Sequence, residues 1–183
     1  MLFRSLLGDW SANTLDFSSV SFVGGNFLLD GAEGNDTIKG TSLADRITGG
    51  GGMDVLSGGG GSDTFICTNL NHCLWSGGST FESITDFVIG VDQLDVNVVP
   101  QSVTTLGSTT ALTNTAISNL LNSTAFTANA VASFSYNSSE ATRTFLAIND
   151  GNAGFNKCTD ALVEITGYSF AAGYTSLNQM TLV

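Results

Sequence analysis

GAEGNDTIK (31–39), GTSLADRIT (40–48), GGGGMDVLS (49–57) and GGGGSDTFI (58–66) stand end to end as four units of nine residues. Position six is always aspartate: Asp36, Asp45, Asp54 and Asp63. Position eight is always large and apolar: Ile38, Ile47, Leu56 and Phe65. The first half of each unit is turn chemistry, because glycine tolerates positive φ and close backbone approach. The second half reads as a three-residue strand with its central side chain pointing inward, so two units complete one coil of a parallel solenoid. A flexible linker would explain the two GGGG runs, but a linker has no reason to repeat an acid and an apolar residue in phase.

The coil period has an electrostatic consequence. Loops 18 residues apart stack on one side, at about the 4.8 Å spacing of paired strands, which sets Asp36 beside Asp54 and Asp45 beside Asp63. The whole chain carries 16 acidic against 5 basic residues, a formal charge of −11, which speaks against nucleic acid as a partner and for cations. With 42% hydrophobic and 11% charged residues the chain is expected to fold. No apolar run is long enough for a transmembrane segment.

Outward from the repeats, Leu15, Phe17, Val20, Phe22 and Phe27–Leu29 read as short strands of an N-terminal cap over 1–30, since an open solenoid end must be covered. The repeats occupy 31–66. Residues 67–183 read as a β-rich C-terminal domain, beginning with a loop from Cys67 to Thr80. FESITDFVIGVDQLDV (81–96) is read as strand, turn, strand, and 113–132 as helix with Ile117, Leu120 and Leu121 on one face. Strands are expected again at 144–148, 162–166 and 180–183. The fold class is therefore mainly β: a short parallel β-roll between a strand cap and a β-rich domain with one or two short helices.

The chain holds one histidine, His72, read as a surface-loop residue, and neither H-E-x-x-H nor G-x-S-x-G, so no enzyme activity is expected. Cys67 and Cys73 could close a short loop, or stand with Cys158 as plain thiols. Asp150-Gly151-Asn152 and Asp160, with Glu164 nearby, could bind an ion, though their spacing is not that of an EF-hand and an Asx turn accounts for them as well. Trp75, Tyr168 and Tyr174 are read as core or cap aromatics rather than a carbohydrate site. Met1–Leu7 is too short and too weakly basic for a cleaved leader, so export is expected to use another route.

The four units resemble the GGxGxDxUx repeats of RTX proteins, where U is a large apolar residue. Ile84, Asp86-Phe87, Gly90, Asp92, Leu94 and Asp95 look like the segment that follows the β-roll in secreted bacterial RTX proteins. AISNLLNSTAFTANAVASFSY (116–136) and RTFLAINDGNAGFNKCTDALVEITGY (143–168) resemble the bluetail domain of cyanobacterial surface proteins. The resemblance implies Ca²⁺ as the bound cation, held by 6 to 8 oxygens at about 2.3–2.6 Å. It implies one site from the carbonyls of Gly31, Glu33, Gly50 and Gly52 with Asp36 and Asp54, and a second from Gly40, Ser42, Gly59 and Gly61 with Asp45 and Asp63. That makes two roll ions, with a third completed at the C-terminal end by Asp86, Asp92 or Asp95. Ala32 and Thr41 replace the second glycine of their units and Leu43 the fourth, departures that weaken or distort those loops.

The same resemblance implies secretion by a type I machine that reads an uncleaved C-terminal signal. The ending Asn178–Val183 is similar to such tails and reads equally well as a last core strand. The expected role is a secreted, structural or cell-surface protein that folds on extracellular Ca²⁺ and self-associates or attaches to the cell surface. The alternative is a calcium-dependent secretion and folding tail of a larger enzyme or adhesin. Met1 running straight into the capping strands favours the former.

Overall fold

The computed structural model describes residues 4–21, 24, 27–69, 81–96, 103–157 and 159–183. Phe22, His72, Cys73, Trp75, Cys158 and most of the 67–80 loop lie outside the described residues.

The first ten strands are β1 (Arg4–Leu7), β2 (Thr14–Asp16), β3 (Phe27–Asp30), β4 (Thr37–Lys39), β5 (Asp45–Thr48), β6 (Val55–Ser57), β7 (Thr64–Cys67), β8 (Glu82–Ile84), β9 (Val88–Ile89) and β10 (Gln93–Val96). They are followed by β11 (Val103–Thr109), α1 (Asn114–Leu120), β12 (Val131–Asn137), β13 (Thr142–Ile148), β14 (Ala161–Ile165), β15 (Ser169–Phe170) and β16 (Thr181–Leu182). Two large sheets face each other, ordered β1-β3-β5-β7-β10-β16 and β11-β12-β13-β14-β8-β6-β4-β2, while β9 pairs with β15 apart from them. The mainly β architecture and the parallel roll are as expected.

Roll strands alternate between the two sheets, so each sheet collects every second strand. Inward side chains then form two ladders. One runs Leu15, Ile38, Leu56, Ile84, Ile165, each opposite the next. The other runs Leu6, Leu29, Ile47, Phe65, Leu94, Leu182. Together with Phe87 and Ile89 they make one apolar core. Its energy comes from burying about one large side chain per strand, on the order of 1.5–3 kcal/mol each.

The ladders cross both expected divisions of the chain. In residues 1–30, β1 and β2 pair in parallel with β3 and β4 and so continue the roll sheets. Near 66 the sheets are equally continuous, since β8 pairs β6 and β10 pairs β7. The end of the chain also enters the roll, β16 lying parallel to β10 with Met180 buried.

Beyond β8 the second sheet changes character. β12, β13 and β14 are antiparallel neighbours and are apolar on both faces. Leu146, Ile148, Val163 and Ile165 point into the roll core. Their alternates Ala132, Phe134, Phe145, Ala147 and Leu162 form a second core with Ile117, Leu121 and Phe126. The strand period of two delivers these sets to opposite faces.

The helix is shorter than the span 113–132 expected from sequence. It is capped at Thr113, whose hydroxyl accepts from Ala116 N, and ends at Leu121. Asn122 stops it, because its side-chain oxygen accepts from Thr124 N and Ala125 N at 3.0 and 3.1 Å. Such local bonds offer the backbone an alternative to the helical ladder.

Candidate metal site

Each strand of the inner roll is entered by an acid at its first or preceding position, and these acids stack in two columns. In one, Asp36 Oδ1 accepts from Asn13 N, Asp54 Oδ1 from Asp36 N, and Glu82 Oε2 from Asp54 N, at 2.7, 2.7 and 3.3 Å. In the other, Asp63 Oδ1 accepts from Asp45 N and Asp92 Oδ1 from Asp63 N, both at 2.9 Å. One oxygen of Asp36, Asp54, Asp63, Glu82 and Asp92 thus ties a coil to its neighbour. The second oxygen of Asp36, Asp45, Asp54 and Asp63 lies against the first glycine of its own unit, where any Cβ would intrude.

The acids are buried: Asp36, Asp45, Asp54, Asp63, Glu82 and Asp92 are all within the core layer. Burial raises the carboxyl pKa of Asp36, Asp45 and Asp92 and pushes Asp63 up to about 7; Glu82 is driven well above the usual range, by burial first and then by the neighbouring Asp54 charge. Among the described residues Asp36 Oδ2 and Asp45 Oδ1 are buried with no hydrogen-bond partner. Buried oxygens of this kind are uncommon and call for an explanation, of which a cation is the simplest.

The backbone around Asp36 and Asp54 suits a hard cation. Loops 31–35 and 49–53 are zipped by Gly34 N to Gly51 O and Gly51 N to Ala32 O, both 2.7 Å, and by Met53 N to the Asn35 side chain at 3.0 Å. These bonds use the carbonyls of Ala32 and Gly51, leaving those of Gly31, Glu33, Gly50 and Gly52 out of the inter-loop bonding. Gly50 and Gly52 have φ of 94° and 134°, which ordinary residues resist, and Ala32 adopts φ 72° in the matching position of its own loop. No group of three or more His, Cys, Asp or Glu side chains that could hold a metal occurs among the described residues, so an ion here draws on carbonyls as well as carboxylates. The loop pair borders a cleft of about 490 Å³ that is also lined by Trp10, Asp30 and Glu82.

The second expected set is also brought together, but its lower loop differs. Gly40, Ser42 and Asp45 stack against Gly59, Gly61 and Asp63, with Gly60 N donating to Thr41 O at 3.0 Å. Here Asp45 Oδ2 is occupied: Thr41 N and Thr41 Oγ1 donate to it at 2.7 and 2.9 Å, and Leu43 N donates to Thr41 Oγ1 at 3.0 Å.

The three acids offered for a third site, Asp86, Asp92 and Asp95, make different contacts. Asp86 accepts from Ser57 Oγ, Gly58 N and Gly59 N at 2.6, 2.9 and 2.9 Å and so covers the last glycine turn. Asp92 continues its column and takes Val88 N at 2.7 Å. Asp95 pairs with Arg46 at 3.1 Å, partly exposed. β10 turns alternate side chains to opposite faces, which separates Asp95 from Asp92.

Two members of the columns were missed from sequence. Asn13 and Glu82 stand where Asp would stand in the units before and after the repeat. The signal was the triplet of polar ligand type, any residue, apolar residue: Asn13-Thr14-Leu15 and Glu82-Ser83-Ile84 repeat Asp36-Thr37-Ile38. Insertions hide it, the register being 23 residues from β2 to β4 and 28 from β6 to β8.

The 150–160 loop is a closed turn in which Asp150 Oδ1 accepts Asn152 N at 2.7 Å, while Asp160 accepts Asp150 N and Asn156 N at 2.9 and 2.6 Å. Glu164 lies elsewhere, holding Arg143 Nε at 2.7 Å. Cys67 is disulfide-bonded and so is not a plain thiol. No helix among the described residues is long and apolar enough to cross a membrane. Among curated proteins no relative matches the chain. Residues 30–65 match the RTX calcium-binding nonapeptide repeat in four copies, so the paired acids and glycine loops described above lie in calcium-binding repeats of the RTX type.

Proposed function

We propose that this chain is a secreted, non-catalytic RTX protein that orders its roll on extracellular Ca²⁺ and serves a structural or cell-surface role. The observation that carries the reading is the buried Asp36–Asp54 column, in which Asp36 Oδ2 has no partner and the flanking glycine carbonyls are not consumed by loop stacking. Gly31, Glu33, Asp36, Gly50, Gly52 and Asp54 are the residues that would hold the ion. Bound Ca²⁺ supplies the positive charge and oxygen demand that stacked buried carboxylates lack. Without a cation these acids repel one another, and loops this rich in glycine are costly to order. Linkage adds about 2.7 kcal/mol per site at a hundredfold excess over Kd, and extracellular calcium modules have Kd of about 10⁻⁴ to 10⁻³ M. The roll therefore stays open at cytosolic calcium and closes outside.

Export by a type I machine and a bluetail-like C-terminal region belong to the same reading, on the motifs at 116–136 and 143–168. Self-association is supported by the N-terminal end of the roll. Among the described residues nothing pairs with the outer edges of β1 and β2, and Leu7 and Trp10 are 65% and 88% exposed beside them. Open strand edges template pairing with another chain.

Thermal melting in chelator and in millimolar Ca²⁺ tests the calcium reading: a clear rise in Tm is expected, and superimposable curves would end it. Light scattering under the two conditions tests association, with growth in particle mass expected only with calcium.

A further inference from the structure

Four loops of the roll divide into two kinds. In loop 9–13 the side chains close the turn themselves: Asp9 Oδ1 accepts Ser11 N at 2.9 Å and Asn13 Nδ2 at 3.0 Å, and Asn13 Oδ1 accepts Asp9 N at 2.8 Å. Loop 40–45 is closed by Thr41 in the same sense. In both, groups of the chain occupy the oxygens that an ion would need. In loop 31–36 Asp30 Oδ1 accepts Ala32 N at 3.0 Å, but Asp36 Oδ2 has no hydrogen-bond partner among the described residues; Gly50 and Gly52 keep the open conformation with positive φ, and so do Ala32 and Gly34.

From this we infer that Thr41 sets the calcium stoichiometry: the 40–45/58–63 loop pair takes no ion, and the ion of the roll sits between loops 31–36 and 49–54. The inference rests on the calcium reading above and narrows it. The oxygen at issue is Asp45 Oδ2, equivalent by position to Asp36 Oδ2, since both lie against the first glycine of their units. A carboxylate oxygen offers two lone pairs, and Thr41 N and Oγ1 use both. Thr41 and Leu43 also stand where the open loops have residues at positive φ, and neither adopts it, so the carbonyls of this loop follow a different path. On its other side the partner loop 58–61 is already held by Asp86 through Gly58 N and Gly59 N. The Thr41 hydroxyl and N–H thus stand in for a cation on Asp45 Oδ2, while Asp86 fixes the N–H groups of the partner turn. Asp45 Oδ1 is also buried without a partner among the described residues, but the oxygen set against the first glycine, as Asp36 Oδ2 is, is the one that Thr41 occupies.

Calcium titration calorimetry of the full chain, freed of metal by chelator dialysis, tests this through differences between variants, so any ion bound elsewhere cancels. Asp36→Asn is expected to lower the count by one ion per chain, and Asp63→Asn to leave it unchanged. Thr41→Gly is expected to raise the count by one, Thr41→Ser to leave it as it was, and Asp63→Asn placed on Thr41→Gly to remove the gained ion. A gain of binding cannot come from misfolding; should Thr41→Gly not fold, Thr41→Val removes the hydroxyl at nearly constant volume and is expected to raise the count in the same direction. Loss of one ion on Asp63→Asn in the wild-type background, or no gain from a folded Thr41→Gly, would overturn the inference while leaving the calcium reading intact. Wild-type protein that takes up no calcium at all would overturn both.

Discussion

The inner roll, β4 to β7, and the antiparallel unit of β12, β13, β14 and α1 share a sheet but are held together in different ways. The roll buries one large side chain per nine residues and spends the rest of each unit on glycine turns and stacked acids. The antiparallel unit buries residues on both faces of every strand and contains no acid column. Its one buried carboxylate of the strands, Glu164, has its own cation in Arg143, whose guanidinium lies 5.3 and 5.2 Å from the Phe81 and Phe145 ring centres. In one region the buried strand carboxylate has its cation within the chain; in the other, buried carboxylate oxygens of Asp36 and Asp45 have no partner among the described residues. Continuity of hydrogen bonding therefore does not imply equal stability along a sheet.

The largest expected effect separates the two regions directly. Hydrogen exchange in chelator should strip protection from the amides of β4–β7 while β12–β14 stay protected, and calcium should restore the former alone. Uniform loss across both regions would mean that they unfold as one unit. Next in size, Phe145→Ala removes a ring stacked on Phe134 at 5.4 Å and edge-on to Phe81 at 4.8 Å. It should cost about 3–5 kcal/mol by denaturant melts, with the same cost in chelator as in calcium, since no ion supports that core.

Glu82→Gln sharpens the comparison from the other side. The substitution removes a buried carboxyl that burial and the neighbouring Asp54 make costly to ionise, so the metal-free Tm should rise while calcium affinity falls by about tenfold, the lower end for a group that acts through the ligands. A lower Tm in chelator would show that the Glu82 charge is compensated after all.

The pH response should also have opposite signs with and without metal. Carboxyls with raised folded pKa, Asp63 at about 7 among them, bind more protons folded than unfolded between about pH 4 and pH 7. Metal-free stability should then fall as pH rises through that window, whereas calcium affinity should rise because the ion needs the ionised form. Melting at pH 5 and pH 8, with and without calcium, checks both. The smallest effect belongs to Arg46→Ala, which breaks the partly exposed pair with Asp95 and should change stability by at most about 1 kcal/mol in either condition.

The period of nine, the acid at position six and the apolar residue at position eight were sufficient to read the roll and the pairing of Asp36 with Asp54, because these follow from local turn chemistry and a constant coil length, while calcium came from the resemblance to RTX repeats. The same reasoning could not see that β1, β2, β8, β10 and β16 extend the roll, for insertions change the interval while the hydrogen-bonded register stays intact. It also could not tell which equivalent aspartates remain available to an ion. Thr41 read as a mere departure from glycine, and Asp86 as a ligand. Only in the fold does the Thr41 hydroxyl reach Asp45 Oδ2 and the Asp86 carboxylate reach the Gly58–Gly59 turn. Spacing along the chain settles which groups are neighbours, whereas which lone pairs are already taken depends on where each side chain ends in space.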